Sequence, residues 1–290
     1  MLYREVKAHG MKKTAMALGL VLLLLCGCGK KQPEPANPYE GMVQVPSGAG
    51  TMMWVEEYET VEVSSFERID FTVEGDRMSY TGGEYTALTG IDVSEHQREV
   101  DWQLVKADGI DFALIRLGYR GYSKGGIFID PFFEANFSGA ADAGVQKGVY
   151  FFSQAITPEE AREEARMVIE TLAGRTLELP IYYDWETIDN PEARTNGLDG
   201  TTLTQCAIAF CEEIKAAGYT PGVYTNRHVG YFMYILDQID DYEFWMSTDG
   251  DYPDFYYAHS VWQYSFTGKV DGVNGNVDMN MRFIKNESAE

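Results

Sequence analysis

The feature that most restricts the fold of this chain is an alternation of strand-like and helix-like segments from Thr89 almost to the end. Helix-start signals separate the strands: Asp130-Pro131 offers a cap and a first-turn proline, and Thr157 with Glu160 forms a capping box. Repeated strand–helix units predict a parallel sheet, either closed into a barrel or open and doubly wound. The strand-like runs end near Asp92, Leu117, Phe152, Glu186, Asn226, Ser247, Tyr264 and Asp278.

The turn after the first predicted strand bears on the choice between these two sheets. An open, doubly wound sheet often carries a glycine-rich nucleotide-binding turn at that point. Gly90-Ile-Asp-Val-Ser94 lacks the glycine spacing of such a turn. This segment therefore gives no support to a nucleotide-binding open sheet.

The N-terminal segment, residues 1–28, has the pattern of a targeting signal. Met11-Lys12-Lys13 is basic, residues 15–25 are apolar, and Leu25-Cys26-Gly27-Cys28 follows. The apolar stretch is short for a membrane-spanning helix, and it resembles a bacterial lipoprotein signal in which Cys28 is lipidated. An uncleaved anchor helix is the alternative. Both interpretations place the rest of the chain outside the cytoplasm, held at a bacterial membrane in the cell envelope, and we expect the natural start at Met11.

Three further regions follow this signal. Residues 29–51 are polar and proline-rich in their first part, and we predict a flexible tether. Residues 52–88 alternate in a strand-like manner between turn signals, and we predict a small β-rich extension whose function the sequence does not show. Residues 89–286 are the predicted catalytic barrel.

Charge and cysteine content exclude several classes of partner and site. The chain carries a net charge of −22, and residues 1–27 hold four of its 23 basic and one of its 45 acidic residues, which leaves −25 for the remainder. Such a surface disfavours nucleic acid as a partner. Cys206 and Cys211 lie five apart on a predicted helix, so we expect two unpaired core thiols. Without a Cys/His cluster we expect no metal and no cofactor, and we expect a monomer.

The segment that carries the chemistry runs from Leu179 to Glu186 and ends in two acids separated by one residue. On a strand, Asp184 and Glu186 point to the same face and Trp185 to the other, where we expect it to pack in the core. Carboxylates at the end of a buried strand are costly to desolvate. In a crowded pocket, one acid stays neutral as a proton donor while another ionises, as glycoside hydrolysis requires. The alternative is a pair of solvated loop acids.

Two more acids end the first and last predicted strands, Asp92 and Asp278. In a closed barrel the first and last strands are neighbours, and active-site groups gather at the carboxyl ends of the strands. All four acids would then meet at one mouth, whereas an open sheet would separate them.

Several ordered motifs between about Thr89 and Phe283 resemble the glycoside hydrolase family 25 lysozymes. The motifs are Gly90-Ile-Asp-Val-Ser94, Phe112-Ala-Leu-Ile-Arg-Leu-Gly118, Asp130 with Asn136, Gly148-Val-Tyr-Phe-Phe-Ser153, Tyr183-Asp-Trp-Glu186, Trp262-Gln-Tyr264 and Val277-Asp-Met-Asn280. The resemblance implies an α/β fold, an irregular TIM-like (β/α) barrel to which the β extension is added. It also implies cleavage of the β-1,4 bond between N-acetylmuramic acid and N-acetylglucosamine, with peptidoglycan glycan strands as the partner.

The resemblance assigns roles to the four acids. Glu186 corresponds to the proton donor, and Asp184 to the acid that assists the substrate's N-acetyl group or stabilises the cationic transition state. Asp92 and Asp278 correspond to the remaining pocket acids. The chain departs from the family at Trp245-Met-Ser-Thr-Asp249, where a Trp-x-Ala-x-Tyr stretch is frequent, and at Phe151-Phe152, where a histidine is frequent.

Other residues near the strand ends are candidates for substrate contacts. Aromatic side chains stack on sugar rings, although barrel packing explains them equally well. Arg116 either pairs with a pocket acid or forms a structural ion pair, and His96 lies on the first loop. A non-catalytic glycan-binding lipoprotein on the same fold and a metal-dependent hydrolase are the rival functions. The predicted sugar-binding residues are Tyr150, Tyr224, Trp245, Trp262 and Tyr264.

Overall fold

The β-rich N-terminal region consists of two antiparallel hairpins. A computed structural model describes residues 37–75 and 77–286. Strand β1 (Met42–Pro46) pairs with β2 (Met52–Glu56), and β3 (Phe71–Glu74) pairs with β4 (Arg77–Tyr80). Strand β1 lies inside the predicted tether, so that part of the chain is structured from Met42 onward. Val43 and Val45 stabilise the strand because Val45 lies in the hydrophobic core and Val43 packs against it. The predictions for residues 1–36, including lipidation of Cys28, lie outside the described residues.

The remaining elements alternate as the sequence predicts. In chain order they are β5 (Tyr85–Val93), α1 (Trp102–Ala107), β6 (Phe112–Arg120), β7 (Ile127–Ile129), α2 (Phe133–Ala143), β8 (Gln146–Ser153), α3 (Pro158–Leu172), β9 (Ile181–Trp185), α4 (Gly200–Ala216), β10 (Pro221–Asn226), α5 (Arg227–Phe232), β11 (Glu243–Ser247), β12 (Val261–Gly268) and β13 (Val277–Lys285). Short 3₁₀ turns occupy Arg68–Asp70 and Leu236–Gln238. Among the described residues, no helix has the length and apolar character that crossing a membrane requires.

Eight strands close into a barrel, which confirms the predicted fold class. Their order is β5-β13-β12-β11-β10-β9-β8-β6, and β5 pairs with β6 to complete the ring. Strand β13 runs antiparallel to both of its neighbours, β12 and β5, and this makes the barrel irregular. The short strand β7 adds to the edge of β6 as a hairpin. Closure brings Asp92 on β5 and Asp278 on β13 directly opposite each other.

The alternation of side chains along the strands separates two layers of core. On β9, Tyr182 packs in a small cluster with Phe112, Leu114 and Trp245, whereas Tyr183 and Trp185 pack in the larger cluster that includes the helices. Trp185 is therefore a core residue, as predicted. The inner cluster is crowded, and at Gly222 on β10 a side chain would collide with the ring of Tyr182. The inner layer of side chains therefore fills the middle of the barrel.

One of the expected helix starts, at Asp130, lies two residues too early. Helix α2 begins at Phe133. Asp130 precedes it: its Oδ1 accepts the N–H of Phe132 in the turn before the helix, and its Oδ2 forms a buried ion pair with Arg116. Helix α4 is capped by Asp199, whose carboxylate accepts the N–H of Thr202. Helix α3 is capped by Thr157 as predicted, because its hydroxyl accepts the N–H of Glu160. The sequence thus located these helices but not always their first residue.

The β3–β4 hairpin packs on the outer surface of the barrel. Phe71 makes an edge-to-face contact with Trp262 on β12 at 5.7 Å between ring centroids, and Phe66 lies 4.2 Å from Phe283 on β13. A backbone bridge joins Val63 to Tyr257. These contacts cover the outward face of the two strands that close the barrel. The thiols of Cys206 and Cys211 are buried and unpaired.

Candidate active site

A cavity of about 390 Å³ opens at the carboxyl ends of the parallel barrel strands. All four acids singled out in the sequence line it: Asp92, Asp184, Glu186 and Asp278. Its volume lies in the range that small ligands occupy in proteins. The structure therefore brings together four carboxyl groups that are up to 186 positions apart in the chain.

Strand geometry places each acid. Asp184 lies in β9 beside Phe152 of β8 and Tyr224 of β10, and its side chain is almost completely buried. Glu186 follows the last residue of β9 and is partly exposed at the mouth. The two point the same way because positions i and i+2 of a strand share a face. They are not solvated loop acids, which excludes that alternative for this pair.

Two amide side chains hold Asp92 from one side. Gln263 Nε2 and Asn280 Nδ2 both donate to Asp92 Oδ2, each at 2.8 Å. Gln263 Nε2 also reaches Asp278 Oδ2 at 3.4 Å. Two neutral donors between two acids compensate part of the cost of burying the carboxylates.

Aromatic residues orient these amides. The Tyr224 hydroxyl donates to Gln263 Oε1 at 3.0 Å, and Trp245 Nε1 donates to Asn280 Oδ1 at 2.8 Å. With the oxygens of both amides occupied as acceptors, their NH₂ groups face Asp92. The inner aromatic layer therefore sets the hydrogen-bonding direction of the groups that line the cavity.

Burial raises the pKa of Asp92 well above its ordinary value, and the neighbouring charge of Asp278 raises it further. The hydrogen bonds from Asn280 and Gln263 act in the opposite direction without cancelling these effects. The pKa of Asp278 is raised to about 6, through desolvation. These two acids lie opposite each other on β5 and β13, so the charge of Asp278 affects the titration of Asp92.

Asp184 is the most enclosed of the four acids. Desolvation raises the pKa of its carboxyl well above the ordinary value, and the charges of Glu186 and Asp92 add to the effect, while Arg116 lowers it. Its Oδ1 atom is buried and has no hydrogen-bond partner among the described residues. An oxygen of this kind favours the protonated state or a donor supplied by a ligand.

Glu186 also has a raised pKa, first through desolvation and then through the charge of Asp278. Its backbone carbonyl accepts the Nε2 amide of Gln154 at 3.0 Å, and Gln154 Oε1 in turn accepts the hydroxyl of Thr195 at 2.9 Å. Gln154 thus ties the residue after β9 to the end of β8. A carboxyl group whose pKa is raised and that is fixed at the mouth of a cavity is equipped to act as a general acid.

Arg116 forms a structural ion pair rather than a pair with one of the four acids. Its Nε donates to Asp130 at 2.8 Å and its Nη2 to Glu95 at 2.9 Å. It still lines the cavity, and its positive charge lowers the pKa of Asp184. His96 is exposed at the rim of the same cavity.

Three of the five predicted aromatic residues, Tyr150, Tyr224 and Trp245, line the cavity. Trp245 is buried and makes edge contacts with Tyr150 at 5.5 Å and Tyr224 at 4.7 Å between centroids. These rings therefore form the floor of the cavity and pack the barrel at the same time. The sequence analysis treated substrate contact and barrel packing as alternatives for these aromatic residues, and the structure allows both roles at once.

The prediction that Trp262 and Tyr264 contact substrate needs correction. Both belong to the outer core cluster; Trp262 donates its indole N–H to Thr248, and the Tyr264 hydroxyl lies 3.5 Å from the backbone N–H of Met78. They face away from the cavity because they flank Gln263, which faces into it. The motif was located correctly, but the residues that face the site are the polar Gln263 and, on β13, Asn280.

One feature of the sequence could have indicated that Gln263, and not its aromatic neighbours, faces the cavity. A glutamine between two aromatic residues on a barrel strand has its amide either in the core or in the cavity, and a buried amide needs partners. Gln154 carried no comparable signal, because its contact with Glu186 depends on two loops that meet only in the folded chain. Within the described part of the chain, no group of three or more His, Cys, Asp or Glu residues is arranged to hold a metal ion.

Comparison with known proteins gives the family. The model for glycosyl hydrolases family 25 matches residues 91–273. Lysozyme M1 of Streptomyces globisporus is 29% identical over 209 residues, which cover 67% of this chain and 67% of that protein. A bacterial lysozyme structure from Streptomyces coelicolor is 25% identical with a TM-score of 0.57, and the match covers 70% of this chain and 94% of that chain.

A further structure, the modular autolysin LytC from Streptococcus pneumoniae in complex with a synthetic peptidoglycan ligand, shares the fold with a TM-score of 0.61 at 22% identity. That match covers 84% of this chain and 57% of the other. The family match itself spans well over half of this chain and contains Asp92, Asp184 and Glu186, while Asp278 lies just beyond it. The chain belongs to glycosyl hydrolases family 25.

Proposed function

We propose that this protein is a lysozyme that hydrolyses the β-1,4 bond between N-acetylmuramic acid and N-acetylglucosamine in peptidoglycan. The observation that carries the proposal is the convergence of four carboxyl groups with raised pKa values at the mouth of one barrel. Glycoside hydrolysis needs one carboxyl group that donates a proton and another group that stabilises positive charge on the sugar. The family and the peptidoglycan bound to LytC support the choice of substrate.

In this proposal Glu186 is the proton donor. It is partly exposed at the mouth of the cavity, and the negative charge of Asp278 raises its pKa and so favours its protonated form. It protonates the glycosidic oxygen as the bond to the sugar breaks, so that the leaving sugar departs as a neutral alcohol. A water molecule then forms the new C–O bond at the sugar carbon and returns a proton to Glu186. Gln154 holds the Glu186 backbone in place during this step.

Asp184 assists from deeper in the cavity. The positive charge that develops on the sugar ring favours the ionised form of a nearby carboxyl group, and the unpartnered Oδ1 of Asp184 is available for that interaction. The proton that it gives up can be taken by the neighbouring acids. Asp92 and Asp278, with their amide partners, maintain the charge balance of the cavity.

We also propose that the protein is anchored in the bacterial cell envelope through a lipid on Cys28 and that it acts as a monomer. The signal-like pattern of residues 11–28 supports the anchor. Mass spectrometry of the mature N-terminus, together with sedimentation of the soluble part, tests both statements. An unmodified N-terminus upstream of Cys28 would contradict the anchor.

The activity is tested by measuring muropeptides released from purified cell walls, with wild type compared with Glu186→Gln. We expect the substitution to reduce the rate by a factor of about 10² to 10⁴, because the amide cannot donate the proton. Asp189→Asn, three residues away and exposed, is the matched control and should retain full activity. New reducing ends must lie at N-acetylmuramic acid.

Three results would contradict the proposal. Wild type that binds cell walls without releasing fragments indicates a non-catalytic glycan-binding protein. Full activity of Glu186→Gln shows that the proton donor is misassigned. Loss of wild-type activity on treatment with a chelator supports the metal-dependent hydrolase.

A further inference from the structure

Phe266 is a large apolar side chain at the mouth of an otherwise polar cavity. It lines the cavity together with the four acids, and 51% of its surface is exposed. It belongs to neither hydrophobic core cluster, and among the described residues it makes no contact with another aromatic ring. Packing of the barrel therefore does not account for its position.

An irregularity in β12 turns this side chain toward the cavity. Along β12 and β13 the paired residues are Gln263 with Asn280 and then Ser265 with Met279, so Tyr264 is an extra residue in a β-bulge. Without the bulge, alternation from the inward-facing Gln263 would send Phe266 outward. Bulges next to active sites commonly redirect a side chain in this way.

Cross-strand partners confirm the direction. Ser265 pairs with Met279, which belongs to the outer core, and partners in a pair share a face. The next residue, Phe266, therefore faces inward, on the side of Asp278. The Phe266 ring lies at the rim of the cavity. Along the paired strands it is close to Asp278, whose charge raises the pKa of Glu186.

Resting on the proposed function, we propose that Phe266 is a sugar-binding residue that stacks on the apolar face of a pyranose ring of the glycan strand next to the bond that is cleaved. Sugar rings offer a face of C–H groups that fits an aromatic ring, while their hydroxyl edges suit the acids and amides of the cavity. A partly exposed ring desolvates when the sugar covers it, and this apolar burial favours binding. The contact is made equally in the bound substrate and in the transition state, so it contributes to affinity rather than to the chemical step.

The test compares Phe266→Ala and Phe266→Tyr with a control, Phe128→Ala. Phe128 on β7 has a similar exposure, 50%, but does not line the cavity. KM and kcat are measured on soluble glycan strands, and the affinity for uncleaved strands is measured by calorimetry in the Glu186→Gln background. We expect Phe266→Ala to weaken binding and to raise KM roughly tenfold with kcat changed less than about twofold. Phe266→Tyr should restore both, and Phe128→Ala should match wild type.

Each alternative result overturns the inference. Unchanged affinity and KM in Phe266→Ala mean that no sugar stacks there. A fall in kcat with unchanged affinity means that the ring supports the catalytic groups instead. An equal loss in Phe128→Ala indicates a general effect of exposed aromatic area. If the wild-type protein fails to cleave glycan strands at all, the proposed function fails, and the affinity measurement alone then decides the role of Phe266.

Discussion

At the scale of single residues, the site depends on amides as much as on acids. Asp92 receives two hydrogen bonds from Gln263 and Asn280, and those amides are oriented in turn by Tyr224 and Trp245. Four carboxyl groups in one cavity repel one another when ionised, so neutral donors between them make the cluster tolerable. The acids were recognisable from the sequence, whereas the amides that support them were not.

The coupling between Asp278 and Glu186 predicts a change in pH dependence. The charge of Asp278 raises the pKa of Glu186, so Asp278→Asn should allow Glu186 to lose its proton at lower pH. Because a proton donor must be protonated, the alkaline limb of kcat/KM against pH should move to lower pH. The profile measured from pH 4 to 9 checks this.

Asp271→Asn serves as the control for that experiment. Asp271 is exposed and lies outside the cavity, so its removal should leave both limbs of the profile in place. An alkaline limb that stays in place, or moves upward, in Asp278→Asn would show that the two acids are not coupled in this way.

At the scale of secondary-structure elements, β12 shows why a correctly located motif led to wrong site residues. Trp262, Gln263 and Tyr264 were all identified, yet the pattern of one strand does not say which of its faces is inside. A barrel strand whose outer side is covered has apolar surroundings on both faces, so the aromatic residues fit either side. The β-bulge after Gln263 then interrupts the alternation of side chains, so that Phe266 faces the inside of the barrel.

The β3–β4 hairpin, whose purpose the sequence did not show, has a structural role in this fold. Phe71 contacts Trp262 and lies 6.0 Å from Phe283 between centroids, and so covers the outer face of the strands that close the barrel. We expect Phe71→Ala to lower the free energy of unfolding by about 3 kcal/mol, because a buried aromatic ring leaves a cavity. The catalytic rate should change little, since Phe71 lies on the side of β12 away from the acids.

Urea unfolding followed by tryptophan fluorescence measures that loss. Val73→Ala is the matched control, two positions along the same strand and 54% exposed, and should change stability by less than about 0.5 kcal/mol. A Phe71→Ala protein as stable as wild type would mean that the hairpin is not a brace for the barrel.

At the scale of the whole molecule, closing the barrel makes the folded state hold protons that the unfolded chain releases. Asp92, Asp184, Glu186 and Asp278 all have raised pKa values. A buried fifth acid, Glu164, lies between Arg120 and Ser153, and desolvation raises its pKa from 4.5 to about 7. An acid whose pKa is raised by folding stabilises the fold below its unfolded pKa, and that stability is lost as pH rises through the folded pKa.

We therefore expect these carboxyl groups to lower the free energy of unfolding as pH rises from about 4.5 to 7, and Glu164→Gln isolates the part due to Glu164. The buried His259, whose pKa is lowered from 6.5 to about 4 by desolvation, acts in the opposite direction between those two pH values. Glu164 alone accounts for up to roughly 3 kcal/mol of that fall. Urea unfolding at pH 5, 6 and 7.5 should show a shallower dependence in Glu164→Gln than in wild type. Glu163→Gln, which removes the exposed second partner of Arg120, is the control and should leave the slope unchanged. Equal slopes in all three proteins would contradict the assignment.

The sequence by itself determined the order of strands and helices and the four acids, and it left the choice between a closed barrel and an open sheet to the family resemblance. These follow from local rules: alternation puts Asp184 and Glu186 on one face, capping residues mark helices such as α3, and an acid at the end of a buried strand stands out. The family-like motifs added the substrate and the role proposed for Glu186.

Only the tertiary structure decided which side chains work with those acids. Gln154 reaches Glu186 across two loops, Asn280 reaches Asp92 across 188 positions of the chain, and Phe266 faces the cavity because a bulge changes the phase of β12. Each depends on the pairing of distant strands, which no local pattern contains. For Asp184 and Glu186, closure of the barrel supplied the low-dielectric surroundings that raise their pKa values, and a sequence carries no measure of burial.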